Sequence, residues 1–332
     1  MSTAAIFGLA GQKLTKEEIS FFKEVSPWGF ILFARNVDTP AQIKELTGHL
    51  RDTLGWDCPI LIDQEGGRVA RLRAPDFTEW MAPLDQMATV STDQARQAMS
   101  LRYRIIAEEL FDVGIDVNCA PMLDLPQAHT HPIITNRCYG FDVDTVAEIG
   151  RAVAEGLLSG GVLPIIKHIP GHGRGSVDSH EELPTVSEKI ETLSMHDFEP
   201  FRRLSDLPMA MTAHIVYPAI DADSPATTSK KCIDYIRNDF GFDGLLMTDD
   251  LSMKALGGDF KSRTKDSLAA GCDIILHCNG DMTEMKAIAL AADTLTPDVA
   301  KRAENALKFR KKPEPFDKDA ALQRLAELQA IS

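Results

Sequence analysis

The sequence predicts an α/β fold, a (β/α)8 barrel of the TIM type, from three observations. Short apolar segments typical of buried strands recur eight times along roughly the first 280 residues. Helical patterns separate most of them, and strands that alternate with helices form parallel sheets through right-handed crossovers. Polar residues follow nearly every strand segment. Eight such units suit a (β/α)8 barrel, which typically has ~250 residues or more.

The predicted strands are short and apolar, and they lie near residues 4–7, 28–33, 59–62, 115–118, 161–166, 208–212, 244–248 and 273–277. Helix start signals stand between them. Thr15 and Glu18 have the spacing of a capping box, and Ser229 is a favoured N-cap residue. Helices are therefore expected after Thr15 and Ser229, and also at 94–112, 143–158 and 262–270.

The residues that end the strands favour the barrel over the alternative, a doubly wound open sheet. These residues are polar at most positions: Asn36, Asp63, Asn118, Lys167, His214, Asp249 and His277. A barrel brings all of its strand ends to one mouth, whereas an open sheet uses only those at its switch point. We therefore expect a site at the carboxyl ends of the strands.

Two insertions and a tail complete the predicted organisation. Long insertions follow the third and fourth strands, at 63–93 and 118–139. The second is too long and polar for a simple connector, so we expect it to form a wall or lid of the site. The tail from Thr296 has two helical patterns, divided by the Lys-Pro-Glu-Pro stretch at 312–315. We expect both to pack outside the barrel, so that residues 1–332 form a single domain.

Composition narrows the class of protein. The chain has 332 residues, and 35 basic against 49 acidic ones give a net charge of −14. An acidic surface repels phosphate backbones, so nucleic acid is a poor candidate partner. No stretch approaches the ~18 apolar residues of a membrane span, and the N-terminus lacks the basic region of a signal peptide. Six cysteines without a C-x-x-C pair are typical of a reducing compartment. The expected location is the cytoplasm, and the expected state is a monomer or weak dimer.

Residues 167–180 hold the densest group of chemically active side chains: Lys167, His168, His172, Asp178 and His180. Three interpretations compete. The stretch could be a solvated loop, or a metal site built from its histidines. A metal site is disfavoured because the intervening glycines and proline oppose the helix that would align such a spacing. We favour acid–base chemistry, because a carboxylate two residues before His180 can fix its tautomer and raise its basicity.

Two adjacent carboxylates, Asp249 and Asp250, follow another buried strand. Asp250 has the position of an N-cap for a helix that begins near Ser252. Asp249 is expected to be the last residue of the strand, so its side chain can point into the mouth.

Three blocks of sequence together resemble bacterial family 3 β-N-acetylhexosaminidases. The blocks are Lys-His-Ile-Pro-Gly-His-Gly at 167–173 with Asp-Ser-His at 178–180, Asp-Gln-Glu-Gly-Gly-Arg-Val-Ala-Arg at 63–71, and Thr-Asp-Asp-Leu-Ser-Met at 248–253. The resemblance implies that Asp249 is the nucleophile of a retaining glycosidase. It also implies that His180, paired with Asp178, is the acid and base.

The resemblance further implies which residues bind the sugar hydroxyls: Asp63, Arg71, Arg137, Lys167 and His168. Arg137 precedes Cys138 where serine is more usual in the family. Neighbouring residues of a strand point to opposite faces, so Lys167 and His168 can both bind sugar only if the strand ends before them.

Within the same block as Asp63, Glu65 and Arg68 are expected to form a structural ion pair.

The activity implied is removal of terminal β-linked N-acetylglucosamine from muropeptides in cell-wall recycling, on a small-molecule substrate without a metal or organic cofactor. Three alternatives stay open. One is a metal-dependent hydrolase that uses His168, His172 and His180. Another is a sugar-binding barrel without catalysis. The last is phosphorolysis, since a neutral imidazole repels phosphate less than a carboxylate does.

Overall fold

The computed structural model describes residues 2–128, 130–175 and 182–330. Its strands are short and mostly fully buried: β1 (Thr3–Gly8), β2 (Pro27–Leu32), β3 (Ile60–Ile62), β4 (Val117–Asn118), β5 (Leu163–Pro164), β6 (Ile166–Ile169), β7 (Met209–Thr212), β8 (Val216–Tyr217), β9 (Asp221–Pro225), β10 (Leu245–Asp250) and β11 (Ile274–His277). Strands β8 and β9 form a separate antiparallel pair. The other nine form one sheet, in the order β5-β4-β3-β2-β1-β11-β10-β7-β6.

This sheet closes into a barrel because its two edge strands are consecutive in the chain. Only Ile165 separates β5, which pairs with β4, from β6, which pairs with β7. All pairings within the sheet are parallel. Strands β5 and β6 therefore occupy one position in the barrel, which has eight positions in total. The predicted fold class is confirmed.

The helices mostly follow the strands in alternation: α1 (Lys16–Val25), α2 (Pro40–Leu54), α3 (Pro83–Met87), α4 (Thr92–Asp112), α5 (Pro132–Thr135), α6 (Val143–Ser159), α7 (Ile190–Met195), α8 (Glu199–Arg203), α9 (Lys230–Asn238), α10 (Phe260–Ala270), α11 (Met282–Ala289), α12 (Pro297–Leu307) and α13 (Lys318–Gln329). Short 3₁₀ turns lie at Ala34–Asn36 and Ala226–Thr228. In the described part of the chain, no helix combines the length and apolar character that a membrane span requires.

Local signals in the sequence place several helix ends. Thr15 and Glu18 form the predicted capping box: the Glu18 amide donates to Thr15 Oγ1 at 3.1 Å, and the Thr15 amide donates to Glu18 Oε2 at 2.8 Å. Ser229 caps α9 as predicted, and its Oγ accepts from the Cys232 amide at 3.1 Å. These caps satisfy amides that a helix leaves without intrahelical partners.

The barrel interior is filled by buried apolar side chains from every barrel position: Ile6, Ile31, Leu61, Val117, Leu163, Ile165, Met209, Met211, Leu245, Met247, Ile274 and Leu276. Larger apolar clusters fill the layer between the strands and the surrounding helices. Such packing makes the barrel a solid core, and leaves the loops at the carboxyl ends of the strands to form a site.

The two helical patterns predicted for the tail are present as α12 and α13. Helix α13 packs against α4, and its Leu325 and Leu328 are buried. Helix α12 lies near β10, and its Ala303 and Ala306 join the apolar cluster of the barrel interior. The tail is thus part of the packed structure.

Candidate active site

A buried lysine joins strand β6 to the loop after β3, at the carboxyl ends of the barrel strands. Lys167, in β6, is only 2 % exposed, and its Nζ lies 2.9 Å from Asp63 Oδ1 and 2.6 Å from Glu65 Oε1. Asp63 and Glu65 follow β3. A buried cation is stable only when it is paired and hydrogen-bonded, so this contact fixes the two strand ends relative to each other.

Each of the two carboxylates that contact Lys167 also binds an arginine. Arg71 Nη2 donates to Asp63 Oδ2 at 3.2 Å. Arg137 donates to Glu65 through a bidentate pair, with Nε 2.9 Å from Oε2 and Nη2 2.8 Å from Oε1. The result is a row in which three cations alternate with two carboxylates, which we call the mouth network: Arg71, Asp63, Lys167, Glu65 and Arg137. The structure thus brings together four of the predicted sugar-binding residues, around Glu65.

The mouth network sets the ionisation of its members. Burial on its own would raise the pKa of Asp63, but Lys167 and Arg71 hold it below its usual range. Burial also works to raise the pKa of Glu65, yet Arg137 and Lys167 lower it to about 2. For Lys167, burial is outweighed by the two carboxylates, which raise its pKa above the usual value. All three groups are therefore charged at neutral pH.

Backbone contacts hold the loop after β3 in place. The Asn118 side-chain amide forms a pair of 3.0 Å hydrogen bonds with the backbone N–H and carbonyl of Gln64. Arg102, fully buried in α4, donates to the Glu65 carbonyl at 2.6 Å. Gly66 has a φ of 107°, and a Cβ there would lie 2.0 Å from the Arg102 guanidinium. Glycine is required here by conformation and by space.

The expected ion pair between Glu65 and Arg68 is not formed. Glu65 is 1 % exposed and binds Arg137 and Lys167, whereas Arg68 lies at the exposed end of the turn. The prediction failed because it considered neighbours in sequence, and the two cations that reach Glu65 come from distant loops. The sequence signal for a role of Glu65 at the site was its place directly before Gly66 and Gly67 in a polar block.

The strand end expected at Ile166 lies three residues later, at Ile169, and sugar binding by Lys167 and His168 stays a prediction. The strand continues through both residues to Ile169, yet both side chains reach carboxylates at the carboxyl end of the barrel. The pairing of β6 with β7 shifts register between Lys167 and Ile169. Such an irregularity interrupts the alternation of side chains, so neighbouring residues can serve the same face.

Sequence reasoning missed Asp124, which lies after β4 and is fully buried. Its Oδ2 is 2.7 Å from His168 Nδ1, and its Oδ1 accepts from the His172 amide at 2.6 Å. The His168 and His172 rings meet edge to face, with centroids 5.6 Å apart. Burial, reinforced by the nearby His168, lowers the pKa of His172 to about 4, so His172 is neutral at pH 7. The only sequence signal for Asp124 was a lone carboxylate in an apolar stretch.

Asp249 and Asp250, at the end of β10, have different surroundings. Asp250 accepts from the amides of Ser252 and Cys278 at 3.0 and 3.1 Å, and from Ser252 Oγ at 2.5 Å. Asp249 is half-buried, and its Oδ1 accepts from the Asp250 amide at 2.8 Å. Asp250 therefore fixes the turn after β10.

The helix expected near Ser252 does not form there. Residues 251–256 are turns, and the next helix is α10, with Asp259 as its N-cap.

Asp249 lies within electrostatic reach of two histidines at the mouth. Burial lowers the pKa of His214 and of His172, and the negative charge of Asp249 opposes the shift in both. The His214 ring is held by Thr227 Oγ1 at 2.7 Å and by the Asp250 carbonyl at 3.0 Å. Asp249 thus stands beside neutral imidazoles at the strand ends.

Other strand-end residues serve structural contacts. Asn36 donates to the carbonyls of Leu9 and Gly11. His277 Nε2 lies 2.7 Å from Glu284 in α11. These hydrogen bonds hold the loops around the mouth in place. The charged groups at the mouth come from the mouth network.

The predicted catalytic pair, Asp178 and His180, lies outside the described residues. Within residues 2–128, 130–175 and 182–330, no group of three or more His, Cys, Asp or Glu side chains is arranged to hold a metal ion. His168 and His172 belong to that part, whereas the third histidine of the metal alternative, His180, does not.

Comparison with known proteins gives a family match over most of the chain. Residues 8–308 match the family described as "Glycosyl hydrolase family 3 N terminal domain". A protein named "Beta-hexosaminidase" from Bordetella avium is 35% identical over 278 residues, which cover 82% of this chain and 79% of that protein. Another of the same name, from Neisseria meningitidis, is 37% identical over 283 residues, which cover 82% of this chain and 76% of that protein.

Solved structures agree with these matches. NagZ from Neisseria gonorrhoeae superposes with a TM-score of 0.85 at 30% identity, over 99% of this chain and 96% of that one. A glycoside hydrolase family 3 β-N-acetylglucosaminidase from Paenibacillus also has a TM-score of 0.85, at 28% identity, over 98% of this chain and 67% of that one.

Proposed function

Since the chain belongs to glycosyl hydrolase family 3 and is a glycosidase of the β-hexosaminidase type, we propose that it removes terminal β-linked N-acetylglucosamine from muropeptides by double displacement. One observation carries the proposal most directly. Asp249 is a half-buried carboxylate at a strand end, and it shares the barrel mouth with the buried mouth network. Carboxylates and arginines in such an arrangement can bind neighbouring sugar hydroxyls while one carboxylate reacts.

In the first step, the Asp249 carboxylate attacks the anomeric carbon, and the bond to the leaving oxygen breaks. His180 protonates that oxygen, and the sugar is left as an ester of Asp249. Asp178 orients the imidazole and stabilises its charged form. Asp250 secures the turn after β10 through the amides of Ser252 and Cys278, and Asp249 is the carboxylate that we assign to the attack.

In the second step, His180 removes a proton from water, and the water oxygen attacks the anomeric carbon. The ester bond breaks, Asp249 regains its carboxylate, and the sugar is released with its original β configuration. Two inversions at one carbon give net retention, so the configuration of the first product reports directly on the mechanism.

The mouth network supplies the proposed sugar-binding groups. Asp63 is ionised and accepts hydrogen bonds, while Arg71, Arg137 and Lys167 donate them. His168 adds a ring nitrogen at the same strand end. Because Glu65 forms ion pairs with Lys167 and Arg137, these two donors are already in position and need little reorganisation when the sugar binds.

The same proposal includes the location, the assembly and the cofactor requirement of the enzyme. We place the enzyme in the cytoplasm, in cell-wall recycling, acting as a monomer or weak dimer without a metal or organic cofactor. We also propose that the chain is one domain, because α12 and α13 pack onto the barrel. The curated relatives are named for hexosaminidase activity, which supports the sugar specificity.

A test compares three substrates: a nitrophenyl β-N-acetylglucosaminide, a disaccharide of N-acetylglucosamine linked β-1,4 to N-acetylmuramic acid, and the matching nitrophenyl β-glucoside. We expect turnover of the first two and little of the third. NMR of the initial product should show β-N-acetylglucosamine, with or without phosphate and after treatment with a chelator. An α product, a sugar phosphate or loss of activity with the chelator would contradict the proposal.

A further inference from the structure

Asp124 has an unusual concentration of donors around one carboxylate. It lies on the segment between β4 and α5, at 0 % exposure. Its Oδ2 is 2.7 Å from His168 Nδ1, and its Oδ1 accepts from the His172 amide at 2.6 Å and from the His168 amide at 3.3 Å. Burial works to raise the pKa of Asp124, but His168 and the hydrogen bonds lower it below the usual value. Asp124 is therefore ionised at neutral pH.

An ionised carboxylate can only accept hydrogen bonds, and this fixes the state of the His168 ring. The Nδ1 atom, 2.7 Å from Oδ2, must carry a proton. Nε2 is then the ring nitrogen left to face the mouth, and the hydrogen bond at Nδ1 determines the orientation of the ring.

The same segment supports the beginning of the loop that leads to residues 176–181. His172 is anchored by its amide to Asp124. The Thr130 hydroxyl donates to the Gly173 carbonyl. Gly173 packs directly on the backbone of Leu125, where a Cβ would lie 1.9 Å from the Leu125 oxygen. Leu125 and Thr130 therefore hold the 170–175 stretch against the segment that contains Asp124.

From these contacts we propose that Asp124 is a positioning residue, which orients His168 towards the sugar and anchors the stretch that precedes Asp178 and His180. The inference rests on the proposed function, and it adds that sugar binding and acid–base catalysis share one buried anchor. Asp124 itself does not touch the substrate in this arrangement.

The variant Asp124→Asn tests this because an amide has one acceptor oxygen where the carboxylate has two. That oxygen should stay with the backbone amides of His172 and His168, which can only donate, so the NH₂ group faces His168 Nδ1. We expect kcat/KM for the nitrophenyl N-acetylglucosaminide to fall about 10- to 100-fold, the effect of losing one hydrogen bond to a charged group. Both KM and kcat should change, because His168 and the loop are both affected.

The control variant is Asp116→Asn. Asp116 is also buried and also accepts from a backbone amide, but its side-chain partners are two arginines and it lies at the opposite end of the barrel. It should lose thermal stability and keep kcat/KM within about twofold. Equal losses of kcat/KM in both variants would overturn the proposal, because they would indicate general destabilisation.

A second readout is the tautomer of His168, measured by long-range ¹H–¹⁵N correlation on histidine-labelled protein and assigned with His168→Gln. In the native enzyme, Nδ1 should be protonated across the accessible pH range. In Asp124→Asn, the proton should move to Nε2, and the pH profile of kcat/KM should shift. An unchanged tautomer and profile would refute the positioning role. If the native enzyme does not cleave the N-acetylglucosaminide, the proposed function fails, while the tautomer result still judges the role of Asp124.

Discussion

The two ends of the barrel both bury carboxylates beside cations, but they use them differently. At the amino ends of the strands, Asp116 precedes β4 and Asp273 precedes β11. Asp116 accepts from the Ile60 amide at 2.8 Å, and Asp273 accepts from the Leu246 amide at 2.9 Å. Each also binds two arginines, one of which lies in or just after α12: Arg302 for Asp273 and Arg310 for Asp116. These carboxylates join neighbouring strands and attach the tail.

At the carboxyl ends, the two carboxylates of the mouth network bind side chains. Asp63 binds Lys167 and Arg71, and Glu65 binds Lys167 and Arg137 through their side-chain nitrogens. A sugar hydroxyl can share or replace a side-chain partner, whereas it cannot replace an amide that belongs to the sheet. Buried charge therefore stabilises the fold at one end and prepares a binding surface at the other, and variants at matched positions can separate these roles.

The largest effect is expected at Asp249, the carboxylate proposed to react. Asp249→Ala should lower kcat by several orders of magnitude, because the covalent route disappears, while thermal stability changes little. A 5-fluoro N-acetylglucosaminide that traps the ester should add its mass to the native peptide that contains Asp249.

Asp250 lies in the same peptide and serves as an internal control, because it secures the turn and is not expected to react. Fragmentation of the labelled peptide should place the sugar on Asp249. A label on Asp250, or no label at all, would show that the proposed division between the two carboxylates is wrong.

The second largest effect concerns His180, which must protonate a leaving oxygen in one step and deprotonate water in the other. His180→Ala should lose about 10²–10⁴-fold in rate, with a larger loss on the muramic acid disaccharide than on the nitrophenyl substrate. Nitrophenol needs no proton to leave, so the variant should form the glycosyl ester and then stall. Azide needs no base and should restore turnover, giving a β-glycosyl azide.

Asp178→Asn should show a milder form of this behaviour, because the imidazole remains and loses only its orienting charge. Equal losses on both substrates without rescue by azide would assign His180 a structural role. The acid would then have to lie elsewhere at the mouth, where His168, oriented by Asp124, is one candidate.

Much of the fold could be predicted from the sequence because its causes are local. Short apolar strands, the Thr15–Glu18 capping box and the Ser229 cap each follow from residues within a few positions. Lys167 was placed just after its strand, although β6 continues to Ile169. That error arose because strand ends depend on pairing with a neighbour, and the register shift beside β7 has no signature in composition.

The site was less predictable because its partnerships are distant in sequence. Glu65 was assigned to nearby Arg68, and the structure pairs it with Arg137, which is 72 residues away. Asp124 carries no motif of its own, yet it holds His168 from 44 positions away. Residue types at the strand ends indicate that chemistry occurs there, while the specific pairs depend on how the loops fold over the mouth.

The smallest effects on activity should come from a matched pair of carboxylates, Glu65→Gln at the mouth and Asp273→Asn at the other end. Each is 1 % exposed and contacts two cations. Removing either charge takes a counterion from two cations at once, so both variants should lose on the order of 3 kcal/mol in the free energy of unfolding by urea. For Glu65→Gln we also expect kcat/KM to fall about 10- to 100-fold, because Lys167 and Arg137 lose their common anchor. For Asp273→Asn, kcat/KM should stay within about twofold.

The pH dependence of stability provides the decisive control for Glu65. Its pKa is lowered from 4.5 to about 2 in the folded protein, so its charge contributes stability that is fully present above about pH 4.5. The contribution is lost as the pH falls from 4.5 towards 2, because the unfolded chain takes up the proton first. The difference in unfolding free energy between the native protein and Glu65→Gln should therefore be constant from pH 7 to pH 5.5 and shrink below 4.5. A difference that does not change with pH would show that Glu65 stabilises the mouth by packing, and the contrast between the two ends of the barrel would then not rest on charge.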